Sequence, residues 1–217
     1  MSLPESVARS TSQRGEIHLR RRADGALELR VNGVFVMDDQ ETRSEELLAT
    51  AALEALNQPG RLLVGGLGLG YTVRALLADR RARQVLVAEI EPDLVQWMRD
   101  GLLPSVLEDP RVEVLVGDVR DLVRDQPDGW LDGILLDVDN GPDFLVYDGN
   151  AAIYRPDFLA DCRRKLRPGG TLTVWSSSDS APLAGAVRDT FGNCVVRPVP
   201  VALQGRAETY YVYQAGS

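Results

Sequence analysis

The sequence predicts an α/β fold: one doubly wound, mostly parallel sheet with a small β ribbon ahead of it. Three observations carry that expectation. Apolar strand-like runs alternate with helical patterns five times in succession, which right-handed crossovers turn into a parallel sheet. A glycine-rich turn, Gly65-Gly66-Leu67-Gly68-Leu69-Gly70, follows the first of those runs. Two final apolar runs have no helix between them, so they pair antiparallel at the carboxyl-terminal edge.

The totals are compatible with one domain. The chain has 217 residues, 44% hydrophobic and 26% charged, enough for a single core. Its formal charge of -8 argues against nucleic acid, which needs a Lys/Arg excess on some face, and suits a cationic small substrate. No apolar run approaches the ~20 residues of a membrane span, and the start has no apolar signal core. The expected location is the cytoplasm, with Cys162 and Cys194 as reduced thiols outside any metal-ligand spacing. The single histidine, His18, lies away from every motif, so neither a metal site nor a histidine dyad is expected.

Residues 1–14 are polar and expected to be disordered. From 15 to 40 the pattern is short strands punctuated by Ala23-Asp24-Gly25 and Asn32-Gly33, hairpin signals because type I′ turns need positive φ. Residues 41–217 form the predicted Rossmann-like domain. It opens with an amphipathic helix in which Leu47, Leu48, Ala51, Ala52 and Leu56 recur at helical spacing, ended by Asn57-Gln58-Pro59-Gly60.

The five β/α units follow. RLLVGG is continuously apolar, as a strand buried on both faces should be, and leads to helix YTVRALLAD. Strand VLVAEI precedes helix DLVQWMRDGLL, with Pro92 near its start. Strand VEVLV leads to a short helix around DVRDLVRD, and strand GILLD to a loop from Val138 to Arg155, then helix PDFLADCRRKL. Strand TLTVWS and helix SAPLAGAVRDTF complete the series, and NCVVRPV and TYYVYQ are the terminal strand pair. This is the layout of the class I methyltransferases; a dinucleotide-binding domain would want a sixth parallel unit.

In such sheets ligands bind at the carboxyl ends of the strands. At the first, Gly65, Gly66, Gly68 and Gly70 give G-x-G-x-G, without the spacing of a dinucleotide fingerprint or the Lys-Ser/Thr of a phosphate loop. At the second, Glu89 with its neighbour Ile90 can receive both ribose hydroxyls of an adenosyl group. At the third, Asp118 with Val119 can receive an adenine amino group, or cap the next helix. At the fourth, Asp137 can orient or deprotonate an amine, while Asp139 and Asn140 either line the substrate pocket or form an Asx-rich turn. The serines at 176–178 line the pocket or cap a helix. Tyr154 is a further substrate-pocket candidate, with Phe144 and Tyr147 on the same long loop.

Taken together, these strand ends resemble the spermidine synthase family of aminopropyltransferases, from the ribbon to about Trp175. The resemblance implies that Gly65 to Gly70 is the family's glycine motif, Glu89 its ribose acid, Asp118 its adenine-side acid and Asp137 its base, with Pro168-Gly169-Gly170 its closing turn. It implies S-adenosylmethionine or its decarboxylated form as donor, methylthioadenosine as product or analogue, no metal, and a homodimer. The family's Gly-Gly-Gly-Asp-Gly-Gly places an acid where Gly68 stands here. Its Gln and Tyr-His residues give way to Phe35 and Ser44-Glu45, and the second Asp of its Asp-Ser-Ser-Asp-Pro segment falls at Asn140. Three functions remain open: aminopropyl transfer to an amine, methyl transfer from S-adenosylmethionine, and nucleoside binding without catalysis.

Overall fold

The computed structural model describes residues 3–217. Its amino-terminal part is a four-stranded antiparallel sheet in the order β1-β2-β3-β4: β1 (Glu5–Ser12), β2 (Gly15–Arg21), β3 (Leu27–Val31) and β4 (Val34–Asp38). The Asn32-Gly33 turn has positive φ at both residues, 52° and 77°, the geometry its sequence predicts.

One expectation is corrected here. Residues 1–14 were expected to be disordered, yet Glu5 to Ser12 pair with Arg21 to Gly15 along β2. The expectation for residues 1 and 2 lies outside the described residues. β1 is polar because it is an edge strand that buries little; backbone pairing forms it, and its end is anchored by Ser10 Oγ donating to Asp93 Oδ2 at 2.5 Å.

Helix α1 (Arg43–Glu54) leads into the main sheet, whose seven strands run in the order β10-β11-β9-β8-β5-β6-β7. Its strands are β5 (Gly60–Gly65), β6 (Ala82–Glu89), β7 (Val112–Val116), β8 (Leu131–Leu136), β9 (Leu166–Ser176), β10 (Val195–Leu203) and β11 (Arg206–Gly216). The strands β7, β6, β5, β8 and β9 are mutually parallel. β11 is antiparallel to β9 but inserts between β9 and β10, so the outer edge falls to β10. The order reverses at β5, which places a crevice above the β5 and β8 ends.

The helices are α2 (Tyr71–Leu77), α3 (Pro92–Arg99), α4 (Val119–Asp125), α5 (Pro156–Lys165) and α6 (Ala181–Phe191). Two apolar layers sandwich the sheet. Leu62 and Val64 of β5 join Leu48, Ala52, Val73, Leu94 and Met98 on one face; Leu63 joins Val123, Phe158, Leu159 and Val187 on the other. That alternation along one strand, apolar on both faces, is why β5 reads as an unbroken apolar run. Pro92 and Pro156 start α3 and α5, where a missing N–H costs nothing. Within the long 138–155 loop, Asp148–Tyr154 forms a 3₁₀ helix that periodicity did not reveal.

The ribbon is not an appendage. Ile17, Leu19, Leu29 and Val31 belong to the same apolar layer as α1, α2 and α3. It therefore packs over the strand ends and roofs the crevice.

Candidate active site

The crevice is lined from above by Ile17, Leu29, Val31, Val36 and Met37 of the ribbon, and from below by the ends of β5, β6, β7, β8 and β9. Gly66, Gly68, Glu89, Ile90, Asp118, Val119, Asp137, Asp139 and Asn140 all reach it, so residues up to 74 positions apart converge as their strand positions predict. Gly65 and Gly70 do not line it. Gly65 closes β5 against Val119, and Gly70, at φ 85°, is the N-cap of α2.

The glycine turn is closed upon itself. A Cβ at Gly66 would sit 2.0 Å from the Asp137 carbonyl oxygen, and the residue holds φ at 90°, so only glycine fits. Four of its amides are engaged. Gly66 N–H donates to Ala88 O at 2.9 Å, Leu67 N–H to Glu89 Oε2 at 2.9 Å, and Gly70 N–H to Leu67 O at 2.8 Å. Gly68 N–H also faces the Glu89 carboxylate. Leu69 N–H donates to the Met37 thioether at 3.2 Å. The same sulfur fills the space a side chain at Gly68 would need, 2.6 Å from a Cβ there.

Glu89 ends β6 buried, 6% exposed. Its Oε1 accepts from Glu91 N–H at 2.8 Å and its Oε2 from Leu67 N–H, leaving each oxygen a further lone pair. Burial pushes its pKa up against those backbone donors. Behind it, Glu91 Oε1 accepts from Arg14 Nε at 2.7 Å and from the Tyr147 hydroxyl at 3.1 Å, while Arg14 also donates to Ile90 O at 2.7 Å. The ribbon and the long loop thus meet over the β6 end.

Asp118 performs the capping role of its two expected alternatives. Its Oδ1 accepts from Arg120 N–H at 2.8 Å, and the Arg120 guanidinium holds both oxygens. Burial alone would raise its pKa, but the Arg120 charge and amide keep it below the ordinary carboxylate range. It still faces the crevice.

At the β8 end, Asp137 Oδ2 accepts from the Thr72 hydroxyl of α2 at 2.6 Å. Glu45 of α1, 6% exposed, lies close enough for Asp137 to repel its charge, and its carboxylate receives the Ser44 hydroxyl at 2.6 Å. Burial raises the pKa of both, with the Asp137 charge adding to the rise at Glu45 and the Thr72 bond opposing it at Asp137. Neither carboxylate has an Arg or Lys partner among the described residues. Glu45 lies off the strand ends; its signal in the sequence is that Ser44-Glu45 takes the place of the family's Tyr-His pair.

Asp139 and Asn140 are mainly builders of the loop. Asp139 Oδ1 accepts from the amides of Asn140 and Val146, both at 2.7 Å, and its Oδ2 from Asn150 Nδ2 at 2.8 Å. Asn140 donates to Phe35 O at 3.2 Å and its carbonyl receives Ser177, tying loop, ribbon and β9 together. Tyr154 is not among the residues lining the crevice; it is buried in the layer with Phe158 and Leu159, where burial and the nearby charges of Asp139 and Asp137 push its pKa up. Phe144 points to solvent, 61% exposed, while Tyr147 is drawn inward by Glu91. Ser176 to Ser178 serve the turn after β9, and Ser180 caps α6. Trp175, 7% exposed, lines the crevice beside Tyr210, and its indole N–H has no hydrogen-bond partner.

This geometry can be set beside known proteins. No family model matches the chain. The polyamine aminopropyltransferase of Nitrosomonas europaea is 32% identical over 182 residues, covering 78% of this chain and 53% of the relative. Polyamine aminopropyltransferase 2 of Pseudomonas aeruginosa is 30% identical over 162 residues, covering 70% and 44%. The chain is a relative of the polyamine aminopropyltransferases. It spans about half the length of these relatives. In fold, this aminopropyltransferase relative superposes on a spermidine synthase solved in complex with the transition-state analogue AdoDATO, with a TM-score of 0.85 at 16% identity over 98% of this chain and 73% of that one. The spermidine synthase of Thermotoga maritima gives 0.83. The fold class predicted from sequence, with its methyltransferase-like sheet and small antiparallel sheet, is therefore the spermidine synthase fold.

Proposed function

We propose that the chain is a transferase that takes decarboxylated S-adenosylmethionine and delivers its aminopropyl group to a small amine. The observation that carries this reading is the Glu45–Asp137 pair: two carboxylates without a cationic partner among the described residues, one on α1 and one at the strand end where chemistry occurs in such sheets. Buried acids of this kind favour cationic ligands.

The same region speaks against methyl transfer from intact S-adenosylmethionine. That donor carries a carboxylate, which would lie among acids, and the amides of Gly66, Leu67, Leu69 and Gly70 that could receive it are engaged elsewhere. Losing the carboxylate removes the conflict. The glycine turn, whose Cβ positions are filled by Asp137 O and Met37, is held tightly against the β8 end and the ribbon, and Gly66 and Gly68 still line the crevice. In this reading Glu89 holds the ribose hydroxyls with its remaining lone pairs, Ile90 and Val119 flank the base, and Asp118 lies at its amino edge.

Asp137 is the proposed base. It takes a proton from the acceptor ammonium, and the freed nitrogen lone pair forms a bond to the aminopropyl carbon next to sulfur. The C–S bond breaks, its electron pair stays on sulfur, and methylthioadenosine leaves as a neutral thioether. A raised carboxylate pKa suits a group that must accept a proton near neutral pH. Residues 41–217 act as the donor-binding domain, and residues 15–40, extended by β1, as its roof. No helix is long and apolar enough to cross a membrane among the described residues, and the free thiols Cys162 and Cys194 support a cytoplasmic location.

Calorimetric titration with S-adenosylmethionine, its decarboxylated form and methylthioadenosine tests the reading. Preference for the decarboxylated donor is the expected result. Preference for S-adenosylmethionine would move the assignment to methyl transfer, and failure of all three to bind would remove the donor site.

A further inference from the structure

We propose that Glu45 is the specificity-determining residue of the donor site: its carboxylate receives the ammonium of the donor's aminopropyl arm and so selects the decarboxylated donor, which leaves Asp137 to the acceptor amine. The inference rests on the transferase reading above and divides the labour of the two carboxylates on which that reading stands.

Proton transfer decides the division. When Asp137 takes the proton of the acceptor ammonium it becomes neutral, and a neutral carboxyl no longer holds a second ammonium beside it. The arm ammonium keeps its charge before and after the C–S bond breaks, so its partner has to be a different acid. Of the other acids that line the crevice, Glu89 is held by backbone donors, Glu91 by Arg14 and Tyr147, Asp118 by Arg120, and Asp139 by the loop it organises. Glu45 alone is left. Its carboxylate receives the Ser44 hydroxyl and its own backbone amide, which leaves lone pairs for a ligand.

The placement of Glu45 agrees with this role. The glycine turn has no acid to offer: Gly68 holds φ at 49°, and Met37 Sδ fills the space of a side chain there. The turn leads into α2, and Glu45 stands by the first turn of that helix, close enough for its charge to raise the pKa of Tyr71. Asp137, held by Thr72 of the same helical turn, in turn raises the pKa of Glu45. The resemblance puts an acid at position 68; here α1 supplies one from the opposite wall of the same crevice. Intact S-adenosylmethionine carries its carboxylate on the carbon that bears the ammonium, so binding would press that carboxylate against Glu45. Two like charges brought together out of water repel strongly, and this is the basis of the selection.

The test is calorimetric titration of the whole chain and of Glu45→Gln with four probes. They are decarboxylated S-adenosylmethionine, S-adenosylmethionine, methylthioadenosine, and the S-methyl-S-propyl sulfonium analogue of the donor. The analogue keeps the sulfonium and the carbons of the arm and lacks only the amine. The unaltered chain should bind the decarboxylated donor at least about tenfold tighter than the analogue. Glu45→Gln should bring the two within about threefold and narrow the preference over S-adenosylmethionine, with methylthioadenosine bound as before. Each preference is a ratio within one protein, so a smaller folded fraction does not alter it, and Glu45→Leu is read in the same way as a second variant. Donor and analogue bound alike by the unaltered chain, or a preference that survives both substitutions, would overturn the proposal while methylthioadenosine binding upholds the donor site. Failure of methylthioadenosine to bind the unaltered chain would overturn both.

Discussion

The Thr72 hydroxyl donates to Asp137 Oδ2 across 2.6 Å, so the first turn of α2 fixes the carboxylate at the end of β8. This bond stabilises the ionised form of Asp137 against burial, which pushes its pKa up. Thr72→Val keeps the shape and deletes the donor. The Asp137 pKa should then rise further, so the acid limb of the kcat/KM profile moves to higher pH. A hydrogen bond to a charged group is worth about 1.5–3 kcal/mol, which predicts a fall in kcat of roughly tenfold or more. Methylthioadenosine affinity, which does not depend on that carboxylate's charge, should be unchanged. Equal losses in both quantities would mean that Thr72 serves only the packing of α2.

The Glu45–Asp137 pair gives the ligand-free protein a pH dependence whose sign can be worked out. Both carboxyls have folded pKa values above their ordinary ones, Asp137 at about 6 and Glu45 at about 8. The folded state therefore binds protons more tightly than the unfolded chain. The associated stability is fully present below the ordinary carboxylate range and is lost as pH rises through the folded values. Thermal unfolding followed from pH 5 to 9 should show Tm falling from pH 5 up to about 8 and levelling above it, and Glu45→Gln should confine the fall to below about 6. Amine binding has the opposite slope, because a carboxylate must release its proton to meet an ammonium. A rising Tm over this window in the ligand-free chain would contradict the pair's assignment.

Glycine 66 is predicted to be intolerant of any side chain, and for a reason local to the active site. Gly66→Ala brings a Cβ to 2.0 Å from the Asp137 carbonyl oxygen at φ 90°. The neighbour is backbone and cannot rotate away, so β5 and β8 must separate. The expected cost is about 3 kcal/mol, or roughly 6–12 °C in Tm for a chain of this length. Gly101→Ala is the matched comparison, since it shares positive φ at 74° but meets nothing within 4 Å. It should lose only the strain, about 1 kcal/mol.

What the sequence made legible follows from how each residue is constrained. Continuous apolar runs such as RLLVGG and VLVAEI could only be strands covered on both faces, and an acid at the end of such a run stands where the sheet stops. That logic puts Glu89, Asp118 and Asp137 at strand ends. It says nothing of their partners, because hydrogen bonding between distant segments leaves no periodic mark. Arg120 claiming Asp118, Asp139 knitting the long loop, and Met37 filling the space above Gly68 are facts of three-dimensional approach. β1 was missed for a related reason: an edge strand needs no alternation of apolar residues when its backbone pairing alone holds it. Glu45 stands out only through the resemblance, where Ser44-Glu45 takes the place of the family's Tyr-His pair; by itself a glutamate in the first turn of a helix ordinarily serves the helix dipole.

The remaining prediction concerns the closure of the crevice over the ribose end. Arg14, in the β1–β2 turn, and Tyr147, from the long loop, both donate to the same oxygen, Glu91 Oε1. Glu91 is 4% exposed, so removing Arg14 leaves a buried carboxylate with one neutral donor and weakens the roof where it crosses β6. Arg14→Ala should therefore speed dissociation of methylthioadenosine by about tenfold, with a much smaller change in kcat at saturating donor. Tyr147→Phe should have a weaker effect, a fewfold acceleration, since it deletes only a neutral hydroxyl. Because the two groups converge on one acceptor atom, the double variant should depart from additivity. Stopped-flow displacement of bound methylthioadenosine measures each rate. Independent, fully additive effects would show that the ribbon and the loop close the crevice separately, and not through their shared contact with Glu91.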